Sequence, residues 1–537
     1  MIESIKNSDF DVEDIVTQKW RNISVLSKKS FLWIFIITNI VFLFHTVTFF
    51  WGNHDWTLIK NGFGITNDML KLGRFTSGAL QQLMGGDILP IANNLFCFAG
   101  FTLAAIYLAK YWKIPQTPIT YIMFGLFVII TPYTLPWLWY TKQTTLFWNI
   151  LFCVLALILS EKYSLIKSII AISLITFNLG TYASLISTLL IMLLGRILID
   201  IMYEEKSLKM LINSYTNSII NIVIGSVLFL IVLLWLKYTG KMGQGQANTD
   251  FISITDLKQK ISYLIHIKSI FYTATPYISS KLMFLMTLPV FGVFYIAIKK
   301  HVFLKTLIGI LLLFICSQMT NLLAKENFNH YTRVEFFSYP FLFAAFIAGC
   351  LKYTKSVKSL TIILLTVIIY SCALSDFRFQ RVNYLGKMAE MEQYQDIKAR
   401  IKSNKAFRNK EYILISVGAN TKRPLFYHYN KSKGYAGDIL KHGTIRNWNE
   451  TEYYNFSEEK PFIKKSFLLS SKRFMPKEIK TLTEISNFIF QKAKPYPYEN
   501  SVYIDNKYIY IIYNEQGLKQ AKENLREMLK KKGVQYE

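Results

Sequence analysis

The fold class this sequence predicts is a polytopic α-helical membrane protein with a C-terminal extracytoplasmic α/β domain, and three observations predict it. The 537 residues are 52% hydrophobic and 16% aromatic, with a mean hydropathy of +0.27, a level that soluble chains of this length rarely reach. Several apolar runs reach the roughly 20 residues that cross a bilayer as a helix, and lipid forces such spans to be helical. After residue 376 the long apolar runs stop, and alternating and amphipathic patterns replace them.

Taken in order, residues 1–30 are polar and mixed in charge and read as a cytoplasmic segment. The run at 31–51 is too long for a cleavable signal and has no small-residue cleavage site after it. Eleven spans are expected, near 31–51, 89–112, 119–138, 143–160, 164–180, 181–203, 215–237, 281–298, 302–323, 336–354 and 358–375. The fifth and sixth are divided at Asn178-Leu179-Gly180.

Charge asymmetry sets the topology. Lys28 and Lys29 put the N-terminus inside, and alternate connections then carry Lys110, Lys113, Lys162, Lys167, Arg196, Lys206, Lys209, Lys299, Lys300, Lys352, Lys355 and Lys358 on the same side. The outer segments are 52–88, 139–142, a turn near 180, 238–280, 324–335 and everything after 376. About half of the net charge of +27 lies in that last segment. Long domains translocate largely regardless of charge, and a basic surface suits an anionic membrane or glycan. No nucleic-acid motif is present. The five cysteines all lie in apolar runs, at spacings that fit neither a metal site nor a disulfide framework, and read as small packing residues.

Within 377–537, EYILISVG (411–418) reads as a strand, and VYIDNKYIYIIY (502–513) as two strands turning at Asp505-Asn506. TLTEISNFIFQKAKP (481–495) and 515–532 read as amphipathic helices.

The first outer loop concentrates the chemistry. WGNHDWTLIKNGF (51–63) places Asp55 where the chain leaves the first span. Residues 66–84 carry Met69, Leu72, Phe75, Ala79, Leu80 and Leu83 on one helical face, with Arg74, Ser77 and Gln81 opposite. That pattern predicts a helix lying in the membrane interface. A carboxylate takes a proton from a hydroxyl, and an arginine grips a phosphate bidentately. Together they suit transfer of a group from a membrane-bound phosphate ester to an alcohol. Blander readings stand beside these. Asp55 also reads as a solvated loop carboxylate, Asp68 and Asp87 compete with it, Arg74 reads equally as a headgroup contact, and His54 as a turn residue or a phosphate ligand.

Other outer groups are weaker candidates. Loop 238–280 reads as a cover over the site or as plain surface. Its Lys268 and Tyr272 suit sugar stacking and phosphate binding or an interfacial aromatic belt. His330 and Arg333 sit at the outer end of the tenth span, where Arg333 is a second candidate for the phosphate and Lys142 a third. No charge cluster of the kind that marks an ion pathway is evident within the spans.

The order of Asn53-His54-Asp55, Gly73-Arg74, Asp87-Ile88-Leu89-Pro90 and Asn178-Leu179-Gly180-Thr181-Tyr182 resembles the bacterial O-antigen glucosyltransferase II family. So does Ser375-Asp376-Phe377-Arg378-Phe379-Gln380, leading into Asn383-Tyr384-Leu385. The likeness covers most of 30–405. One departure is that the family pattern favours adjacent acidic residues after the first span, where this chain has Asp55 alone. The resemblance implies a C-type membrane glycosyltransferase. Such enzymes take a sugar, often glucose, from undecaprenyl phosphate outside the inner membrane and attach it to a surface polysaccharide such as O-antigen. It implies that Asp55 is the general base and that cations such as Arg74 neutralise the leaving phosphate. Metals and cofactors are not called for. A flippase and a donor synthase would be its partners.

A flippase for lipid-linked oligosaccharide would explain the spans but not the long first loop or the outer domain. A polymerase or ligase would share the outer site and the lipid carrier, but would move a whole repeat unit. A non-catalytic surface protein would need no such number of spans.

Overall fold

In the computed structural model the described residues are 25–47, 70, 73–77, 79, 90–131, 133–134, 138, 146–204, 208–241, 280–319, 331–418, 450–455, 458, 460–469, 479–531 and 533. The helices are α1 (Val25–Val41), α2 (Leu43–Val47), α3 (Pro90–Tyr111), α4 (Pro118–Ile129), α5 (Leu146–Ser160) and α6 (Leu165–Thr181). There follow α7 (Leu185–Tyr203), α8 (Leu208–Tyr238), α9 (Ser280–Lys299), α10 (Phe303–Ser317), α11 (Tyr331–Leu351) and α12 (Lys355–Ser403).

Each of the eleven apolar stretches expected to span therefore carries a described helix. Five of the helices are long and apolar enough to cross a membrane: Ile91–Tyr111, Leu185–Tyr203, Asn213–Tyr238, Leu282–Lys299 and Lys355–Ser403. Pro118–Ile129, Leu146–Ser160, Leu165–Thr181, Phe303–Ser317 and Ser338–Leu351 are apolar but shorter. The division of the fifth and sixth expected spans, α6 and α7, falls at Tyr182–Ser184, just after the Asn178-Leu179-Gly180 break expected from sequence.

Local sequence explains several helix ends. Thr117 caps α4 by accepting from the Thr120 amide at 3.4 Å, with Pro118 in the first turn where no amide is needed. The α6–α7 break spends three residues, and the Tyr182 amide closes the last turn of α6 on the Asn178 carbonyl at 2.9 Å. One large apolar cluster runs through the bundle, in which α3 packs on α5, α5 on α6, α6 on α8, and α7 on α10 and α11. Cys97, Cys153, Cys350 and Cys372 are buried there as packing residues, and all five cysteines are free thiols.

At one end of the bundle Lys113, after α3, pairs with Glu204, after α7, at 2.7 Å, while Lys352, after α11, lies 5.1 Å from the Tyr203 ring centre. Three connections that the charge count assigns to one side thus meet at one end.

The chain does not change structure at 376. Helix α12 runs unbroken through Asp376 for 49 residues, about 74 Å at 1.5 Å per residue. Its last turns carry Tyr394, Ile397 and Ile401 into the core of a four-stranded sheet. The strands are β1 (Tyr412–Val417), β2 (Ile463–Leu468), β3 (Val502–Ile504) and β4 (Tyr508–Ile512), in the order β2-β1-β4-β3. β1 is parallel to β2 and β4, and β3 is antiparallel to β4. Alternation puts Tyr412 and Leu414 on the α12 side and Ile415 and Val417 on the other. The second face is covered by α14 (Ile479–Asn487) and α15 (Glu515–Lys531); α13 (Glu450–Asn455) packs against β2. Both amphipathic helices and the Asp505-Asn506 turn are where the sequence placed them, the Asp505 carboxylate accepting from the Lys507 and Tyr508 amides at 2.7 and 2.6 Å. The sequence reading missed β2. It is an edge strand carrying Lys464 and Lys465, so apolar alternation is lost where lysines protect an edge.

Glu458 ties this unit to α12, bonding Lys398 at 2.8 Å and Lys402 at 2.7 Å. Slight burial pushes its carboxyl up, but the two ammonium groups outweigh that and hold it below the usual carboxylate range.

Candidate active site

The segment around Arg74 is not one continuous interfacial helix. Leu70 and Ala79 are helical, but residues 73–77 between them are largely turn. Gly73, with φ +69°, takes the left-handed conformation that ends a helix, and its amide bonds the Leu70 carbonyl at 2.9 Å. Tight bonds from Ser77 to Arg74 and from Ala79 to Thr76, at 3.3 and 3.1 Å, carry the chain onward.

What holds the turn is the α6–α7 break. The Thr76 hydroxyl donates to the Phe177 carbonyl at 2.7 Å and lies 2.9 Å from the Thr181 hydroxyl, while the Thr76 amide donates to the Gly180 carbonyl at 3.2 Å. Phe75 stacks on Phe229 of α8 with ring centres 6.1 Å apart. Its ring also covers Gly180 so closely that a Cβ there would come within 2.6 Å of it and 3.0 Å of the Thr76 hydroxyl. Arg74, half-buried, lays its guanidinium 4.6 Å from the Tyr182 ring centre. From within α6, Asn178 bonds the Cys153 thiol at 3.3 Å and Thr176 bonds the Gly225 carbonyl at 3.1 Å, so the socket is itself braced by α5 and α8.

Two motifs a hundred residues apart, Gly73-Arg74 and Asn178-Leu179-Gly180-Thr181-Tyr182, thus form one unit. Gly180→Ala is expected to lose about 1–3 kcal/mol of stability through overpacking against Phe75. It should also displace Arg74 from the Tyr182 ring, because Arg74 moves with the turn. Thermal melting of the variant reads the loss of stability.

The remaining sequence candidates stand differently. Asp55, His54, Lys142, Lys268, Tyr272 and His330 lie outside the described residues, as do Asp68, Asp87 and loop 242–279. Arg333 is in the first turn of α11 by its backbone, and its side chain is outside the described part.

A second polar group escaped the sequence reading, which placed Arg196 at a loop flank and saw no charge cluster inside the helices. Arg196 is buried within α7 and pairs with Asp200 one turn on, at 3.2 Å. It also donates to the Tyr215 hydroxyl at 3.3 Å and to the Tyr111 carbonyl, and the Tyr215 hydroxyl donates to Asp200. The i,i+4 spacing of opposite charges was the available signal. The Nε and Nη1 groups of Arg196 are bonded within the protein, so the cluster reads as a clasp between α3, α7 and α8.

The glucosyl transferase GtrII family matches residues 44–346, more than half of the chain. The chain belongs to that family. No match was found among curated proteins. The GtrII match includes Asp55, the Arg74 turn, its socket and Arg333, and stops before α12, so Ser375–Leu385 and the sheet lie beyond it. Membership makes this a glucosyl transferase, and the apolar helices make it a membrane protein.

Proposed function

We propose that this GtrII protein moves a single sugar, glucose, from undecaprenyl phosphate to a surface polysaccharide such as O-antigen, on the outer face of the bacterial inner membrane. The observation that carries the reading is the docking of the Arg74 turn into the α6–α7 socket inside the family-matched region. A guanidinium stacked on an aromatic ring is preorganised, so less rotamer freedom is lost when it grips a phosphate. Eleven helices cross the bilayer with the N-terminus inside, and the C-terminal α/β unit lies outside and orients the acceptor glycan.

In this scheme Asp55 removes the proton from the acceptor hydroxyl as its oxygen attacks the anomeric carbon. The bond from that carbon to the phosphate oxygen breaks, and the phosphate leaves with the electron pair on its polyprenyl carrier. Arg74, with Arg333 and His54, stabilises the charge that develops there. Lys142, Lys268, Tyr272 and His330 serve as weaker contacts to sugar and phosphate. The donor carries one phosphate, which two or three cations neutralise without a metal.

The test compares surface polysaccharide from cells expressing the intact protein and Asp55→Asn at equal membrane levels. Mass spectrometry should find one added hexose per repeat unit with the intact protein only. An added hexose with both would move the base to Asp68 or Asp87. Unchanged polysaccharide with both, in a host supplying donor and acceptor, would favour a lipid-linked oligosaccharide flippase.

A further inference from the structure

The first helix breaks at a defined place. In an unbroken α-helix the amide of His45 would donate to the carbonyl of Val41, four residues back. Here it does not. The His45 amide donates instead to Oε1 of Gln380 at 3.0 Å, and Nε2 of Gln380 donates to the Val41 carbonyl at 2.9 Å. A side-chain amide from α12, 335 residues away, has been inserted into the helix ladder. The ladder is kept on either side of the break, from Phe42 to Thr38 at 3.0 Å and from Thr46 to Phe42 at 2.9 Å. Insertion into the i→i−4 ladder is one of the few recognised causes of a sharp helix kink, and the chain is split here into α1 and α2 at Phe42.

Gln380 is suited to this because an amide is both donor and acceptor, so it satisfies the two groups it separates. It is buried, and its Nε2 also lies 3.3 Å from the Asp376 carbonyl one turn back on α12. Beyond the insertion, the Phe44 ring packs edge-on against Tyr384 of α12, centres 4.9 Å apart. A bare helix would close the Val41–His45 bond at no cost in partners. Keeping it open needs a buried Gln at one position of a distant helix, which points to a use for the bend.

The geometry points to Gln380 as a positioning residue that sets the direction in which the first helix delivers the outer loop and, eight residues past Val47, Asp55. This rests on the reading of Asp55 as the base. It also divides labour at the two ends of that loop. Gln380 fixes the start, which leads to the base, and the Thr76–Gly180 contact fixes the segment with Arg74, which holds the donor. A fault at Gln380 should therefore appear in kcat and a fault at the socket in donor KM.

The experiment uses the full chain in liposomes with two variants. Gln380→Leu removes both bonds and lets Val41 and His45 re-pair. Gln380→Glu keeps length and the acceptor for His45 but, when ionised, has no donor for Val41, so it covers the case in which the leucine variant fails to fold. Spin labels at Val47→Cys and Tyr370→Cys, two exposed positions on α2 and α12, report the direction of α2. The expected result in the folded variants is a shifted label distance and a roughly 10²-fold loss of kcat, the scale of a misplaced reacting group. Donor KM should hold near that of the unsubstituted protein. An unchanged label distance, or an unchanged kcat, overturns the assignment. If the unsubstituted protein transfers no hexose, the transferase reading falls, and the label distance alone still decides whether Gln380 sets the bend.

Discussion

Asp55→Asn is expected to lower kcat by roughly 10²–10⁴-fold, the range supplied by a positioned general base, with the donor KM little changed. Asparagine keeps the size and much of the hydrogen bonding of aspartate but cannot accept the hydroxyl proton at neutral pH. The donor phosphate is assigned to a separate part of the loop, where Arg74 stacks on Tyr182 in the α6–α7 socket, so binding should survive the loss of the base. Arg74→Lys should do the reverse. It keeps the charge but loses the bidentate fork and the stacking, so donor KM rises more than kcat falls. Asp68→Asn and Asp87→Asn, made in parallel, are expected to retain transfer. Steady-state kinetics with saturating acceptor and varied donor separates these cases.

The second large effect is on stability. Arg196→Met is expected to cost about 3–5 kcal/mol, the usual result of removing one partner from a buried ion pair. It would leave the buried Asp200 carboxylate with only the Tyr215 hydroxyl from the present set, and free the Tyr111 carbonyl. Replacing both charges, as Arg196→Met with Asp200→Leu, should recover most of that loss, because neither desolvated charge remains. Thermal unfolding of the two singles and the double gives the coupling directly. If the singles were no less stable than the parent but lost transfer, the cluster would belong to the reaction rather than to the scaffold.

Much of this protein was legible before the structure, and the misses have specific causes. The apolar runs located every described helix of the bundle because length and hydropathy are local properties. β1, β3, β4 and both C-terminal amphipathic helices were legible from period alone. β2 was not, since Lys464 and Lys465 on a sheet edge erase the alternation. The run through α12 was hidden because the buried face carries Asp376, Gln380, Lys387 and Glu390 in place of apolar residues, so the helical stripe vanishes where the chain leaves the bundle. Around Arg74 the 100° periodicity was real, yet it says nothing of Gly73's backbone or of Thr76's bonds to residues a hundred positions on. The socket motif was visible as a resemblance, but its contact with Arg74 was not. Gln380 was visible only as the end of the Ser375–Gln380 resemblance, which gives no hint of which distant backbone it opens.

The proposed reaction is transfer of one sugar from a polyprenyl phosphate. Purified protein in liposomes, given glucosyl polyprenyl phosphate and a defined polysaccharide acceptor, tests it most directly by the mass of the product. The expected product is an acceptor heavier by one hexose per repeat, with polyprenyl phosphate released in equal amount. Extension by whole repeat units from a pyrophosphate-linked donor, with no use of the monophosphate donor, would contradict it.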